Sequence, residues 1–496
     1  MTASYEIVLA TLNARYIHAS LGLRYLQANL GEYRTRSVIK EFTTKRAVDE
    51  IVEQILAVHP RIVGLGVYIW NTRESLAVAR ELKRRCPELI LVVGGPEVSF
   101  ETETQEIFAL VDHVFQGEAD FTFRDFVHQF LSDKLRPADK IIAPRLPDID
   151  KICLPYDEYS DEDILHRVLY VEASRGCPYK CEYCLSALDK SVRTFNLDEF
   201  LAALEKLLAR GARQFKFVDR TFNLAPSTSQ RILEFFLQHI DLGLFLHFEM
   251  VPDRLPETLR TLIQRFPAGS LQFEIGIQTW NSSVARIVSR RQDFNKVVEN
   301  LNYLKQHTQV HTHCDLIVGL PGEDQDSFKL GFNTLYALQP DEIQVGVLKR
   351  LKGAPLIRHE PAYALRFSSE PPFQILSSSC LSAQQVSGLT VFADFWDQLG
   401  NSGRFPGLKT LCAEQGLDPF EFFYAFAQWL FEHFEKRTHS IHLRDLQSAV
   451  QKYLIARGWS VSEAGQQLIA TRVGASPSRQ AQHLAAKSVP ASVKNL

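Results

Sequence analysis

Hydrophobic and polar positions change period several times along the chain, and the changes divide it into parts. From residue 7 to about 131, short apolar runs alternate with stretches of helical periodicity. Ile7-Val-Leu-Ala-Thr-Leu12 reads as a strand, 21–30 as a helix, 35–42 as a weaker strand and 46–59 as a helix. A strand at 62–68, a helix at 74–85, a strand at 89–93, a helix–strand pair ending at 118 and a helix at 121–131 follow. Near-continuous apolar strands separated by amphipathic helices predict a doubly wound parallel sheet. Such a sheet binds ligands at the carboxyl ends of its strands. The candidate contacts are therefore Thr11, Gly66, the turn Gly94-Gly95-Pro96-Glu97 and, one strand later, Gly117-Glu118. Glycine there lets a ligand come close to the backbone.

Over residues 134–167, Pro137, Pro144, Pro147 and Pro155 and the acidic run 157–163 break the periodicity. This predicts an extended surface linker. A second alternating series starts at Val168, with strands at 168–172, 214–219, 244–250, 271–277, 310–318 and 342–348 and helices between them. Six strand–helix units are too few for the eight of a closed barrel and predict a partial, TIM-like (βα)6 barrel. Beyond residue 353 the alternation stops. Residues 371–457 read as helical, and the aromatic-rich run 419–434 is expected to form core or to wall a substrate pocket. The tail from 474, rich in Ser, Ala, Gln and Pro, is expected to be disordered. The fold class is α/β, divided as 1–133 (doubly wound sheet), 134–167 (linker), 168–355 (partial barrel), 356–473 (helical domain) and 474–496 (tail).

A chain of 496 residues is long enough for two or three domains. A net charge of −3 lacks the basic footprint of a nucleic-acid binder, so a nucleic-acid substrate is disfavoured. The N-terminus lacks a signal-peptide pattern and no apolar run reaches the roughly 20 residues of a membrane span. A cytoplasmic protein without a membrane partner is expected. Of eight cysteines, Cys86, Cys153, Cys314, Cys380 and Cys412 are scattered, which is no disulfide framework.

The other three, Cys177, Cys181 and Cys184, fall within eight residues just after the first strand of the second series. Structural zinc takes four protein ligands, usually as two separated pairs; His166 is the one nearby residue that could be brought in. The alternative is a four-iron cube, which wants four thiolates, so three would leave one iron open. The spacing Cys-x3-Cys-x2-Cys, with Tyr183 before the third cysteine, resembles the signature of the radical S-adenosylmethionine superfamily, whose fold is a partial barrel. The resemblance implies a [4Fe–4S] cluster on Cys177, Cys181 and Cys184, with S-adenosylmethionine chelating the open iron and being cleaved to a 5′-deoxyadenosyl radical. It also implies cofactor contacts from Tyr183, Asp219, Glu274, Gln278, Arg291 (or its neighbour Arg290), Gly319 and Gly322. An electron donor such as flavodoxin or ferredoxin, and a small-molecule or peptide substrate, are the partners it implies.

The N-terminal sheet is similar to the cobalamin-binding domain of that superfamily's cobalamin-dependent subgroup, with Gly94-Gly95-Pro96-Glu97 and Gly117-Glu118 where the subgroup carries its turns. The widespread motif Asp-x-His-x-x-Gly is absent. Its nearest match, Tyr16-Ile-His18-Ala-Ser-Leu-Gly22, makes His18 a candidate lower ligand to cobalt or a pocket-lining residue. As a whole the chain looks most like an uncharacterised cobalamin-binding radical S-adenosylmethionine family with a C-terminal domain of unknown function. Methylation of an unactivated carbon is the activity this implies. Cyclisation, rearrangement or oxidation without methyl transfer is the alternative, and a non-catalytic cobalamin or metal-binding sensor or adaptor is the alternative of another class.

Overall fold

The computed structural model describes residues 4–189 and 191–459, so the tail at 474–496 lies outside it. The N-terminal part is one parallel sheet. Its strands β1 (Ile7–Asn13), β2 (Ser37–Thr43), β3 (Ile62–Gly66), β4 (Ile90–Gly94), β5 (His113–Phe115) and β6 (Ile141–Ile142) lie in the order 2-1-3-4-5-6. Val8, Val63 and Val93 on one face pack against helices Val48–Leu56 and Thr72–Arg85. Ile7, Leu9 and Phe115 on the other pack against helices Leu21–Ala28 and Asp120–Leu131. Cover on both faces is why every residue of β1 is buried and why its sequence is apolar apart from Thr11 and Asn13. The strand order reverses between β1 and β3, the switch point at which such sheets open a crevice.

The second sheet begins with β7 (Leu169–Val171). A short antiparallel pair, β8 (Ser174–Arg175) with β9 (Arg193–Thr194), leaves the sheet. Strands β10 (Gln214–Phe217), β11 (Phe245–Met250), β12 (Leu271–Gln278), β13 (His311–Val318) and β14 (Glu342–Val347) then complete it. β7 and β10 to β14 pair in chain order, all parallel. Alternate residues such as Phe215, Phe217, Phe248, Phe273 and Cys314 turn outward into the core shared with the helices.

A sheet of six such strands has two free edges, and unpaired edge groups must be covered. The expected surface path holds for 134–151, where Pro147 alone is buried, but not for 152–167, which packs against the domains it joins. β6 extends the first sheet, and Tyr156, Tyr159 and Asp163 are buried because they finish the β7 edge. The Tyr156 hydroxyl donates to the Glu172 carbonyl (3.1 Å) and accepts from the Glu172 N–H (3.0 Å). The Tyr159 hydroxyl donates to the Tyr170 carbonyl at 2.7 Å. Val168 N–H donates to the Ile17 carbonyl at 3.1 Å, and His18 bridges Val168, so the loop after β1 joins the same edge. Behind it, Glu41 accepts from Arg24 (2.9 Å) and Arg167 (2.7 Å), and Arg24 also pairs with Asp163 (2.8 Å), all four side chains being buried.

The β14 edge is finished by the C-terminal region. The Ile343 N–H donates to Asn401 Oδ1 (3.1 Å), and its carbonyl accepts from Trp396 Nε1 (2.7 Å) and Asn401 Nδ2 (2.8 Å). Helix Pro419–His433 packs Phe420 and Phe423 against Phe332, Phe392 and Trp396, so its aromatic stripe is core. The stretch predicted as wholly helical contains one strand, β16 (Ile375–Ser377), paired antiparallel with β15 (Arg366–Phe367). Pro371 and Pro372 have no N–H for a helix, and Ile375 N–H instead donates to the Leu348 carbonyl at 2.9 Å.

Tyr156→Phe leaves the N–H and carbonyl of Glu172 unpaired in the interior while changing little else. We expect it to cost about 1–3 kcal/mol, read as a lower urea midpoint. An unchanged midpoint would show that the hydroxyl does not finish the edge.

Candidate functional site

The three cysteines sit on a loop closed at its base by β8 and β9. Gly176 has a φ of +93°, and a Cβ there would stand 1.8 Å from the Ser191 carbonyl oxygen, so only glycine fits. Cys177 N–H donates to the Asp189 carbonyl at 3.1 Å. Asp219, buried at the end of β10, accepts from the Ala173 N–H (3.0 Å) and the Ser174 hydroxyl (2.6 Å), and burial pushes its carboxyl up to about 7. It therefore braces the base of the loop and is not among the residues that line the cysteine cavity. Arg175, one residue before Gly176, pairs with Glu172 (2.8 Å), Glu118 (2.7 Å) and Asp120 (3.1 Å) and lies over the Tyr25 ring. Arg193 also pairs with Glu118. The loop is thus tied to the N-terminal domain at its root.

Cys177, Cys181 and Cys184 open on a cavity of about 190 Å³ whose wall includes Tyr183, Glu274, Gln278, Arg290 and Arg291. Cys177 and Cys181 are buried and Cys184 is half-buried; burial, followed by the neighbouring thiols, raises the Cys177 thiol. Among the described residues no three His, Cys, Asp or Glu side chains form a group that could hold a metal ion. Thiolates on a multi-iron cluster bind different irons, so three thiols spread around one cavity fit a cluster better than a single zinc. Of the two candidate arginines, Arg290 is already engaged: it donates to Tyr183 Oη (3.1 Å), to Cys181 Sγ (3.6 Å) and to the Gly276 carbonyl. Arg291, the exposed one, remains at the cavity wall. Gln278 has a φ of +72° at a β-bulge, and its amide nitrogen lies 2.5 Å from where a Gly276 Cβ would be. Gly319 and Gly322 are not in this wall. They hold φ values of +92° and +86°, and a Cβ would meet Ile375 at 2.7 Å or Ile287 at 2.8 Å, so both positions favour glycine.

The inward positions of the second sheet carry groups that sequence reasoning did not assign. Lys216 (3.2 Å) and His247 (2.9 Å) both meet Glu274 Oε2, and Arg220 pairs with Glu249 at 3.0 Å. Despite burial, the His247 hydrogen bond and the Lys216 charge hold Glu274 well below the usual carboxylate range. His313 stands 3.3 Å from Asp315 and 2.7 Å from Gln344. Burial works against its charge, but Asp315 and the nearby carboxylates raise it to about 9. The alternation His311-Thr-His313-Cys-Asp315, with a histidine or carboxylate at every second position, is the signal that could have found it.

A second cavity, of about 310 Å³, lies at the strand ends of the N-terminal sheet and reaches Arg175. Gly66, Gly94, Gly95, Gly117 and Glu118 line it; Thr11, His18, Pro96 and Glu97 do not. Thr11 donates to the Gly66 carbonyl at 2.8 Å. Glu97 is buried in a 2.6 Å pair with Lys352 across the domain boundary. Pro96 belongs to an adjoining cleft of about 900 Å³, which Gly117 and Glu118 share with Leu185 and Leu188, just past the third cysteine. His18 lies elsewhere. Its Nδ1 is 2.7 Å from Tyr170 Oη, on the seam with β7 and away from the glycine-lined cavity. Burial, with the charges of Lys216, Arg15 and Arg167, lowers it to about 4.

Three family models match in chain order: the B12 binding domain over residues 7–127, the radical SAM superfamily over 171–330, and a protein of unknown function (DUF4080) over 361–466. The chain is 25% identical over 370 residues to the 2-(S-pantetheinyl)-carbapenam-3-carboxylate methyltransferase of Streptantibioticus cattleyicolor, covering 64% of this chain and 52% of that one. It is 26% identical over 345 residues to the cobalamin-dependent radical SAM methyltransferase TokK of Streptomyces tokunonensis, covering 62% and 49%. The chain thus spans about half the length of these relatives. In fold it resembles the cobalamin-dependent S-adenosylmethionine radical enzyme OxsB (TM-score 0.64, 13% identity, 98% of this chain and 83% of that one). It also resembles TsrM from Kitasatospora setae (TM-score 0.59, 14% identity, 74% and 78%). The matched domains imply a [4Fe–4S] cluster, S-adenosylmethionine and cobalamin. The three thiols, the cavity beside them and the glycine-lined cavity next to it fit that set. No helix among the described residues is long and apolar enough to cross a membrane.

His313 supplies a pH test. A folded-state value near 9 against an ordinary value of about 6.5 means that the folded state holds the proton more tightly. Its contribution is complete below about pH 6.5 and is lost as pH rises through 9. His313→Gln should flatten the fall in the denaturation midpoint between pH 6.5 and 9; an unchanged slope would remove the assignment.

Proposed function

We propose that this B12-binding radical SAM protein with a C-terminal DUF4080 domain transfers a methyl group from S-adenosylmethionine, by way of cobalamin, to an unactivated carbon of a small-molecule or peptide substrate. The observation that carries this reading is the shared wall. The cleft at Gly95, Gly117 and Glu118 is also lined by Leu185 and Leu188, and the intervening Ser186 and Ala187 line the cysteine cavity, so the two lie on either side of one turn. The methyltransferase names of the two sequence relatives support it.

When bound, the cluster with S-adenosylmethionine supplies hydrogen-atom abstraction, and cobalamin supplies a methyl carrier; the chain's part is to hold, orient and exclude water. Cys177, Cys181 and Cys184 hold the cluster, and Arg290 places a cation 3.6 Å from Cys181 Sγ. Gln278 and Arg291 offer an amide and a guanidinium to the amino-acid part of S-adenosylmethionine. Arg175, held between Glu172 and Glu118, keeps the cysteine loop in register with the cobalamin turns. The inward row Lys216, Glu249, Glu274, His313 and Asp315 gives a polar substrate hydrogen-bonding partners along the sheet. Protons on this row are held at His313 Nε2 and Lys216 Nζ near neutral pH.

Anaerobically reconstituted protein, given S-adenosylmethionine labelled in its methyl group and a set of candidate substrates, should move the label into product. 5′-Deoxyadenosine formed with no label transferred would replace methylation with a rearrangement or oxidation. Cys181→Ala should reduce 5′-deoxyadenosine formation to background while cobalamin stays bound. Formation at the wild-type rate would overturn the ligand assignment.

A further inference from the structure

Glu182 lies between the second cysteine and Tyr183, and every polar group it owns is taken. Its N–H donates to the Val288 carbonyl at 3.0 Å, and its carbonyl accepts from the Leu356 N–H at 2.9 Å. One carboxylate oxygen accepts from the Ser289 hydroxyl and from Arg358; the other lies 2.7 Å from His359 Nε2. The carboxylate is 4% exposed, whereas Arg358 is 63% exposed. Nothing in the barrel requires a buried carboxylate here. A buried carboxylate is retained only where it is paired, and its partners come from two directions. Val288 and Ser289 precede Arg290, the residue that reaches Cys181 Sγ. Leu356, Arg358 and His359 belong to the turn Pro355–His359, beyond the barrel's last strand and at the entry to the region of unknown function. That turn runs into helix Glu360–Tyr363, where Tyr363 contacts His359 edge-on and receives the Ser379 N–H at its carbonyl.

We propose that Glu182 is a positioning residue through which the turn Pro355–His359 fixes the middle of the cysteine loop and sets the charge around the metal centre held there. The C-terminal region thereby tunes the cluster as well as covering the sheet edge. The proposal rests on the reading that Cys177, Cys181 and Cys184 hold an iron–sulfur cluster. The reduction potential of such a cluster responds to nearby net charge. Within this group the partners have opposite signs, so removing one or the other must move the potential in opposite directions.

The test uses the full chain, reconstituted anaerobically with iron and sulfide, and reads iron per chain, the thermal midpoint, the cluster's midpoint potential and the spectrum of the reduced cluster with and without S-adenosylmethionine. Arg358→Ala removes a largely exposed cation. It should keep wild-type iron content and thermal midpoint, shift the potential to more negative values and alter the reduced spectrum, and Arg358→Lys should restore most of both. Glu182→Gln, which keeps the shape and removes the negative charge, should shift the potential to more positive values. A potential and spectrum unchanged in both variants at full iron content would overturn the proposal, as would shifts of the same sign in both. Wild-type protein that takes up no iron would instead overturn the cluster reading on which it rests.

Discussion

A sheet of six parallel strands does not close on itself, and its two edges present main-chain groups that water or protein must satisfy. The rest of the molecule follows from how they are satisfied. At the β7 edge the work is done by two buried tyrosine hydroxyls and the backbone of the loop after β1. At the β14 edge it is done by Asn401, Trp396 and the backbone of Ile375. Side chains that imitate a neighbouring strand stop further pairing where another strand would extend it. The same contacts attach the two flanking domains, so edge protection and domain docking are one interaction at each end.

Docking at the edges determines what reaches the cysteine loop. Because the N-terminal domain is joined at β7, whose end leads directly into the loop, its turn at Glu118 falls beside Arg175 and Arg193. Because the C-terminal region is joined at β14, the turn Pro355–His359 crosses to Glu182. Tyr183 packs against the core of the second sheet, and polar contacts fix the remainder of the loop. It is held from three sides: by charge at its root, by Asp219 beneath the root, and by Glu182 at its middle.

Much of this was legible in the sequence. Both parallel sheets, the six strands of the second and the three thiols were readable because strand burial on both faces writes long apolar runs, and because a loop with three cysteines in eight residues has few other uses. The glycines were read correctly as special and for an incomplete reason. Gly95 is needed because a Cβ would stand 2.5 Å from the Val67 carbonyl oxygen, and Gly117 because it would meet Pro144 at 2.8 Å. Backbone approaching backbone and ligand approaching backbone leave the same residue behind. The partners of Glu97, Glu118 and Glu182 could not be read, since Lys352, Arg193 and His359 are distant in sequence and nothing local marks them as a pair. The prolines of 134–167 read as a loose linker for the same reason: proline reports the absence of a regular element, not the absence of packing.

The inward row of charges is the other consequence of an open sheet. A closed barrel fills its interior with apolar side chains, but the inner face here is reached by solvent: Lys216, Glu274, His313 and Asp315 are all only partly covered, and Gln344 is exposed. An apolar row in that position would be a wet hydrophobic surface. Instead the row carries cations and carboxylates that neutralise one another in pairs, Lys216 with Glu274 and His313 with Asp315. Pairing of this kind leaves little net charge but many oriented hydrogen-bonding groups. The row is continuous with the cysteine cavity, whose wall includes Glu249, Glu274 and Asp315. Openness of the barrel, polarity of its inner face and the polar lining of the cysteine cavity are in this way one property.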